Sequence, residues 1–190
     1  MKDREKRETI ELLTSVAGEL MPKLPYHNFR HVIDVYANVG AFASLDKMDS
    51  DEKFLLETSA LFHDIIFVPG FTKNEEMSAM FAEKYLPHLG YSSEQVQMVG
   101  ELILATKMPH NPQDYLAKLL CDADLANLGR DDFFKLGEQM RLELGLPEGR
   151  SWYEQQLEFL KEHKYHTETA RRIWNSGKAK NIRKLEKLVV

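Results

Sequence analysis

Cysteine occurs once in the 190 residues, at Cys121, so no intrachain disulfide can form. That count fits a reducing compartment. An excess of positive charge is also missing: 25 Lys and Arg stand against 30 Asp and Glu, a formal charge of −5. The balance argues against a binder of nucleic-acid backbone, whose electrostatic footprint is basic. It leaves room for a phosphate-bearing small molecule in a local site. No apolar run approaches the ~18 residues of a membrane span. The opening MKDREKRETI has no apolar core segment, so no signal peptide is expected. There is no Gly/Ser linker, no repeat, and no sustained period-2 alternation of a half-buried strand. These absences point to one domain over residues 1–190, cytoplasmic and without a membrane partner.

What is present is helical spacing. Hydrophobic residues make up 43% of the chain, enough for a packed core. Ile10, Leu13, Val16, Ala17 and Leu20 share one face of a helix over 1–20, ended by Pro22 and Pro25. Val32, Val35, Val39 and Phe42 mark a helix over 28–45. Asp49 or Ser50 caps a third, which carries Phe54, Leu55, Thr58, Leu61 and Phe62 and ends near His63-Asp64. The segment IIFVPGFTKN reads as a loop, apolar enough to be packed. Further helices are predicted over 74–86, 93–105, 112–128, 131–144, 151–163 and 167–187, with Pro and Gly or the HKYH stretch between them. The expected fold class is all-α, a compact helical bundle. The basic tail from Ser176 reads either as a terminal helix packed by Ile182, Leu185 and Leu188 or as a frayed end.

Polar groups at the ends of apolar helices carry the chemistry. His27 and His31 sit four apart in YHNFRHV, so one helical face can present both. His63 and Asp64 close an apolar helix. Asp122 and Asp124 lie among Leu119, Leu120, Leu125 and Leu128. Buried imidazoles and carboxylates are costly without a partner. A divalent cation shared by two imidazoles and two carboxylates answers all three places at once. That donor set suits Mn²⁺, Fe²⁺, Co²⁺, Ni²⁺, Zn²⁺ or Mg²⁺, and without thiolates it reads as catalytic rather than structural.

These residues resemble the HD-domain superfamily of metal-dependent phosphohydrolases. The motifs are YHNFRHV at 26–32, LFHDIIFVPGFTKNEEMSA at 61–79, ILATKMPH at 103–110 and CDADLANLG at 121–129. Several pieces are similar to cyclic-nucleotide phosphodiesterases. The set as a whole looks like small bacterial HD proteins that also carry an Arg-x-Glu, here Arg141-Leu142-Glu143. The resemblance implies His31, His63, Asp64 and Asp124 as metal ligands, Asp124 being preferred over Asp122. It also implies His27 as general acid to the leaving oxygen. Lys107, His110, Arg141 and Asn28 are candidate substrate contacts, with Arg150 a further phosphate candidate. His110 is alternatively a second-metal ligand. Glu75 or Glu76 would orient water or a ligand histidine, unless these acids simply answer the helix dipole. His88, His163 and His166 read as surface residues and Cys121 as a small buried hydrophobe. The implied activity is hydrolysis of a phosphate ester of a nucleotide or similar small metabolite. A cyclic-nucleotide or dinucleotide phosphodiesterase and a non-catalytic nucleotide sensor stand as alternatives. A homodimer is left open.

Overall fold

The computed structural model describes all 190 residues and is entirely helical. Nine α-helices run α1 Asp3–Leu20, α2 Phe29–Leu45, α3 Ser50–Phe62, α4 Asn74–Tyr85, α5 Ser93–Ala105, α6 Tyr115–Asp124, α7 Phe133–Glu143, α8 Arg150–Glu162 and α9 Glu168–Leu188. Short 3₁₀ turns follow α4 (Leu86–Leu89) and α6 (Ala126–Gly129). No helix is long and apolar enough to cross a membrane.

Helix α3 is the axis of the fold. Eight of its residues, from Phe54 through Phe62, are buried. A helix that is apolar on nearly all sides has to be enclosed on all sides. Leu56 and Ala60 join a core with α2, α6, α8 and α9, while Leu55, Leu61 and Phe62 join a second with α1, α4 and α5. Burial of each such large side chain contributes roughly 1.5–3 kcal/mol. The axis starts where Asp49 accepts hydrogen bonds from the Asp51 and Glu52 amides. It ends by delivering His63 and Asp64 to the middle of the molecule.

Several sequence expectations need correction. The helix predicted over 112–128 is split. It starts only at Tyr115, capped by Asp114, and stops at Asp124, where the chain tightens into the 126–129 turn. That turn is overlaid by α9, and the crossing tolerates no side chain on either helix or turn. A Cβ on Gly177 would meet the Gly129 carbonyl oxygen at 1.8 Å, and one on Gly129 would meet Trp174 at 2.4 Å. The Asn181 amide adds hydrogen bonds to the Leu128 and Arg130 carbonyls at 3.0 and 2.9 Å. The tail is therefore a docked helix with Leu185 in the core, although Leu188 is exposed. Leu20 is likewise exposed rather than on the buried face of α1. The 65–73 loop is packed only at its start. Val68 and Phe71 face outward, and the loop is held instead by Asn74, which accepts from the Val68 amide and donates to the Val68 and Phe71 carbonyls. His163 and His166 are half-buried rather than on the surface, His163 lying edge-on against Tyr165 and accepting from Lys178.

Candidate metal centre

Three chain segments bring four polar side chains to one point. His31 comes from the first turn of α2, whose N-terminus is capped by Asn28. The Asn28 side-chain oxygen accepts from the Arg30 and His31 amides, and its NH₂ donates to the Leu24 and Pro25 carbonyls. Its hydrogen-bonding capacity is thus spent on aiming α2. His63 follows the last turn of α3 and donates from Nδ1 to the Ala60 carbonyl at 2.9 Å. That bond fixes the tautomer and leaves Nε2 free to ligate. Asp64 is next in the chain, and Asp124 ends α6.

The His31 Nε2 atom lies 3.2 Å from His63 Nε2 and 3.1 Å from Asp124 Oδ1. His63 Nε2 is 3.5 Å from Asp124 Oδ1 and 3.2 Å from Asp64 Oδ2, and His31 Nε2 is 3.5 Å from that same Asp64 atom. Donors bound at ~2.1 Å to one centre stand about 3.0–3.4 Å apart at octahedral or tetrahedral angles. His31, His63 and Asp124 each offer one ligand atom, and the three atoms lie within 4.8 Å of one another. The electrostatics ask for positive charge. Burial opposes protonation of His31, yet the Asp124 and Asp64 carboxylates outweigh it and raise the imidazole to about 9. His63 is raised for the same reasons, and both carboxylates are held below their ordinary value despite burial. A divalent cation fits this donor set.

Asp122 does not share the centre. It points the other way and accepts from the His166 amide (2.7 Å), the Thr167 amide (2.8 Å) and the Thr167 hydroxyl (2.7 Å). It ties the α8–α9 connection to α6.

His27 stands beside the cluster, its Nε2 4.0 Å from Asp64 Oδ2. Its ring stacks on Phe67 with centroids 3.6 Å apart. Its Nδ1 makes a short hydrogen bond to Glu143 Oε1, while Glu143 Oε2 accepts from the Tyr26 and His27 amides at 2.8 and 2.9 Å. Burial raises the Glu143 carboxyl, but His27 and these amides hold it below its ordinary value. In the sequence Glu143 is marked only by its place in the Arg-x-Glu motif, where the candidate contact is Arg141.

Two cavities adjoin at the cluster. One, of about 220 Å³, is largely apolar and is lined by His27, Phe67, Leu128, Met140 and Phe159, with Glu75 also on its wall. The other, of about 240 Å³, is polar and lined by Arg30, Arg130, Lys135 and Gln139 with Asn28 and His31. Arg130 is engaged by Asp34 and Asp132, which leaves Arg30 and Lys135, both exposed, as the available cations. A larger groove of about 720 Å³ between α4 and α5 contains none of the histidines.

Lys107, His110 and Arg141 line neither of these cavities. Lys107 pairs with Glu76. His110 donates from Nε2 to the Thr106 carbonyl at 3.0 Å. The Arg141 guanidinium is spent on Glu138 and the Leu146 carbonyl, and Arg150 pairs with Glu154 at the surface.

No family model and no curated protein matches the chain. Solved structures do. YpgQ of Bacillus subtilis, crystallised in complex with ADP, superposes with a TM-score of 0.72 at 20% identity over 96% of each chain. A predicted HD superfamily hydrolase from an uncultured Thermotogales bacterium superposes with a TM-score of 0.64 at 19% identity, over 93% of this chain and 89% of that one. The chain has the HD-domain fold. The fold accounts for why these histidines and carboxylates fall on α2, the end of α3 and the end of α6. At these identities the likeness speaks for the architecture, and chemistry belongs to the site.

Proposed function

We propose that this protein is a metal-dependent phosphohydrolase acting on a phosphate ester of a nucleotide or similar small metabolite. The observation that carries the reading is the convergence of two imidazoles and two carboxylates beside a second, separately held imidazole, His27. His31, His63, Asp64 and Asp124 would hold a divalent cation of the Mn²⁺, Fe²⁺, Co²⁺, Ni²⁺, Zn²⁺ or Mg²⁺ kind. Such an ion, when bound, lowers the pKa of water and polarises a phosphoryl oxygen.

The chain's own groups supply the rest. Glu143 accepts from His27 Nδ1 and so stabilises the imidazolium, whose Nε2 proton is directed toward the cluster. A proton held there can pass to the departing alkoxide oxygen. Arg30 and Lys135 line the polar cavity and favour the anionic part of the substrate. We assign them this role ahead of Lys107, His110 and Arg141, whose polar atoms are engaged elsewhere. Glu75, on the wall of the apolar cavity, would hydrogen-bond a water there. The ADP complex of YpgQ supports a nucleotide as ligand class, and the lone buried Cys121 supports a reducing, cytoplasmic setting.

The test is hydrolysis by metal-free protein to which each divalent ion is returned singly, with nucleoside phosphates and p-nitrophenyl esters as substrates. Turnover that needs the ion and disappears in Asp64→Ala supports the reading. Stoichiometric metal and nucleotide binding with no turnover for any substrate would replace it with a sensor.

A further inference from the structure

One polar group beside the cluster is left without a partner. The Asn127 side chain is 8% exposed, and its Oδ1 atom is buried without a hydrogen-bond partner. An unsatisfied buried acceptor costs as much as the group's lost hydration, so it marks a place where a donor is expected. Asn127 sits in the 126–129 turn, three residues after Asp124, and lines both cavities together with Tyr26, Asp124 and Leu136. The turn cannot swing away, because the Gly129–Gly177 contact and the Asn181 hydrogen bonds pin it.

The apolar cavity has the make-up of a site for a flat ring. Phe67 and Phe159 supply aromatic surface, Met108, Leu128 and Met140 supply aliphatic surface, and the Gln156 amide on α8 is a polar group on the same wall. At about 220 Å³ it is smaller than the ~300–1,000 Å³ of a pocket that encloses a whole ligand. It suits one part of a molecule whose charged remainder lies in the cavity of Arg30 and Lys135. A carboxamide offers a donor and an acceptor side by side, the pattern that matches an amino-purine edge.

We propose that the apolar cavity takes the base of an adenine nucleotide, with the unpaired Asn127 Oδ1 accepting from the exocyclic amine and the Gln156 amide bonding the ring edge. Asn127 and Gln156 are then the specificity-determining residues of this site. The inference rests on the nucleotide reading above and adds the base and the residues that read it.

The experiment compares ADP with IDP, which differ at the exocyclic amine. Dissociation constants are measured by calorimetry on Mn²⁺-loaded protein, and KM is measured wherever turnover occurs. The wild type is expected to favour ADP by about tenfold, the effect of one good hydrogen bond that the other base leaves unmade. In Asn127→Leu, and separately in Gln156→Leu, that ratio falls toward one through weaker ADP binding, while kcat moves less than KM. The Gln156 variant lies on α8, outside the pinned 126–129 turn, and serves if the Asn127 variant folds poorly. Equal affinity for ADP and IDP in the wild type, or an undiminished ratio in both variants, overturns the assignment. Those results leave the phosphohydrolase reading standing if p-nitrophenyl esters are still cleaved. Base-selective binding without hydrolysis of any ester would instead remove the catalytic reading and keep this one.

Discussion

Glu143 and His27 are 116 positions apart in the chain and share a carboxylate–imidazole hydrogen bond in the fold. The same carboxylate also gathers the Tyr26 and His27 amides, so it fixes both the ring and the backbone that carries it. Glu143→Gln keeps the shape and removes the charge that stabilises the imidazolium. With metal loading intact, kcat is expected to fall about 10²-fold, in the range of a general-acid contribution. An unaltered kcat would detach Glu143 from the chemistry.

Asp122 and Asp124 should separate cleanly on mutation. Asp124→Ala removes a donor 3.1 Å from His31 Nε2. Mn²⁺ affinity is expected to fall by more than the ~10–100-fold typical of groups that only support a ligand. Asp122→Ala strands two amides and a hydroxyl. It should cost on the order of 3 kcal/mol of stability, a drop of about 10 °C in Tm, while the metal stays bound. Metal content by mass spectrometry and thermal melts distinguish the two, and exchanged phenotypes would reverse the ligand assignment.

Metal uptake at the proposed site should displace protons. His31 in the metal-free protein is raised from 6.5 to about 9. A folded value above the unfolded one means its contribution is whole below about pH 6.5 and is lost as pH climbs through about 9. The metal-free protein should therefore lose stability across that window, and Mn²⁺-loaded protein should be spared this loss. Metal uptake at pH 7 should release protons, and apparent affinity should rise with pH up to about 9. Calorimetry in buffers of different ionisation enthalpy counts those protons. A count of zero at pH 7 would contradict the raised value.

Gly177→Ala is expected to destabilise the fold although it sits inside a helix. Alanine favours a helix over glycine by about 1 kcal/mol. The added methyl would have to lie 1.8 Å from the Gly129 carbonyl oxygen, so α9 or the turn must move. Overpacking of this kind costs roughly 1–3 kcal/mol and sometimes more. Denaturant unfolding should show a net loss. A net gain would mean that the crossing is loose.

The legible part of this protein was the part written at helical spacing. The periodic apolar residues place the nine helices, and the polar pairs at their ends mark His27/His31, His63-Asp64 and Asp122/Asp124, from which the resemblance to the HD superfamily takes the set His31, His63, Asp64 and Asp124 that the fold brings together. Residues two apart on a helix face different ways, and spacing alone does not say which of them turns inward. Asp122 and Asp124 pose that question on α6, where the resemblance to the HD superfamily favoured Asp124. Arg141 and Glu143 pose it again on α7, where the guanidinium offers the obvious phosphate contact and the fold turns the glutamate to His27. Asn127, Gln156, Arg30 and Lys135 gave no signal. Their positions come from how α7, α8 and α9 lie against the 126–129 turn, which no local pattern encodes.

The crossing of Gly129 under Gly177 also bears on how the protein is made. Every proposed ligand has been synthesised by residue 124, and the strut that fixes the Asp124 turn follows more than fifty residues later. The nascent chain thus holds its imidazoles and carboxylates before it can arrange them. A metal held at the proposed centre would therefore be captured after the last helix docks, at the close of biogenesis rather than as its seed.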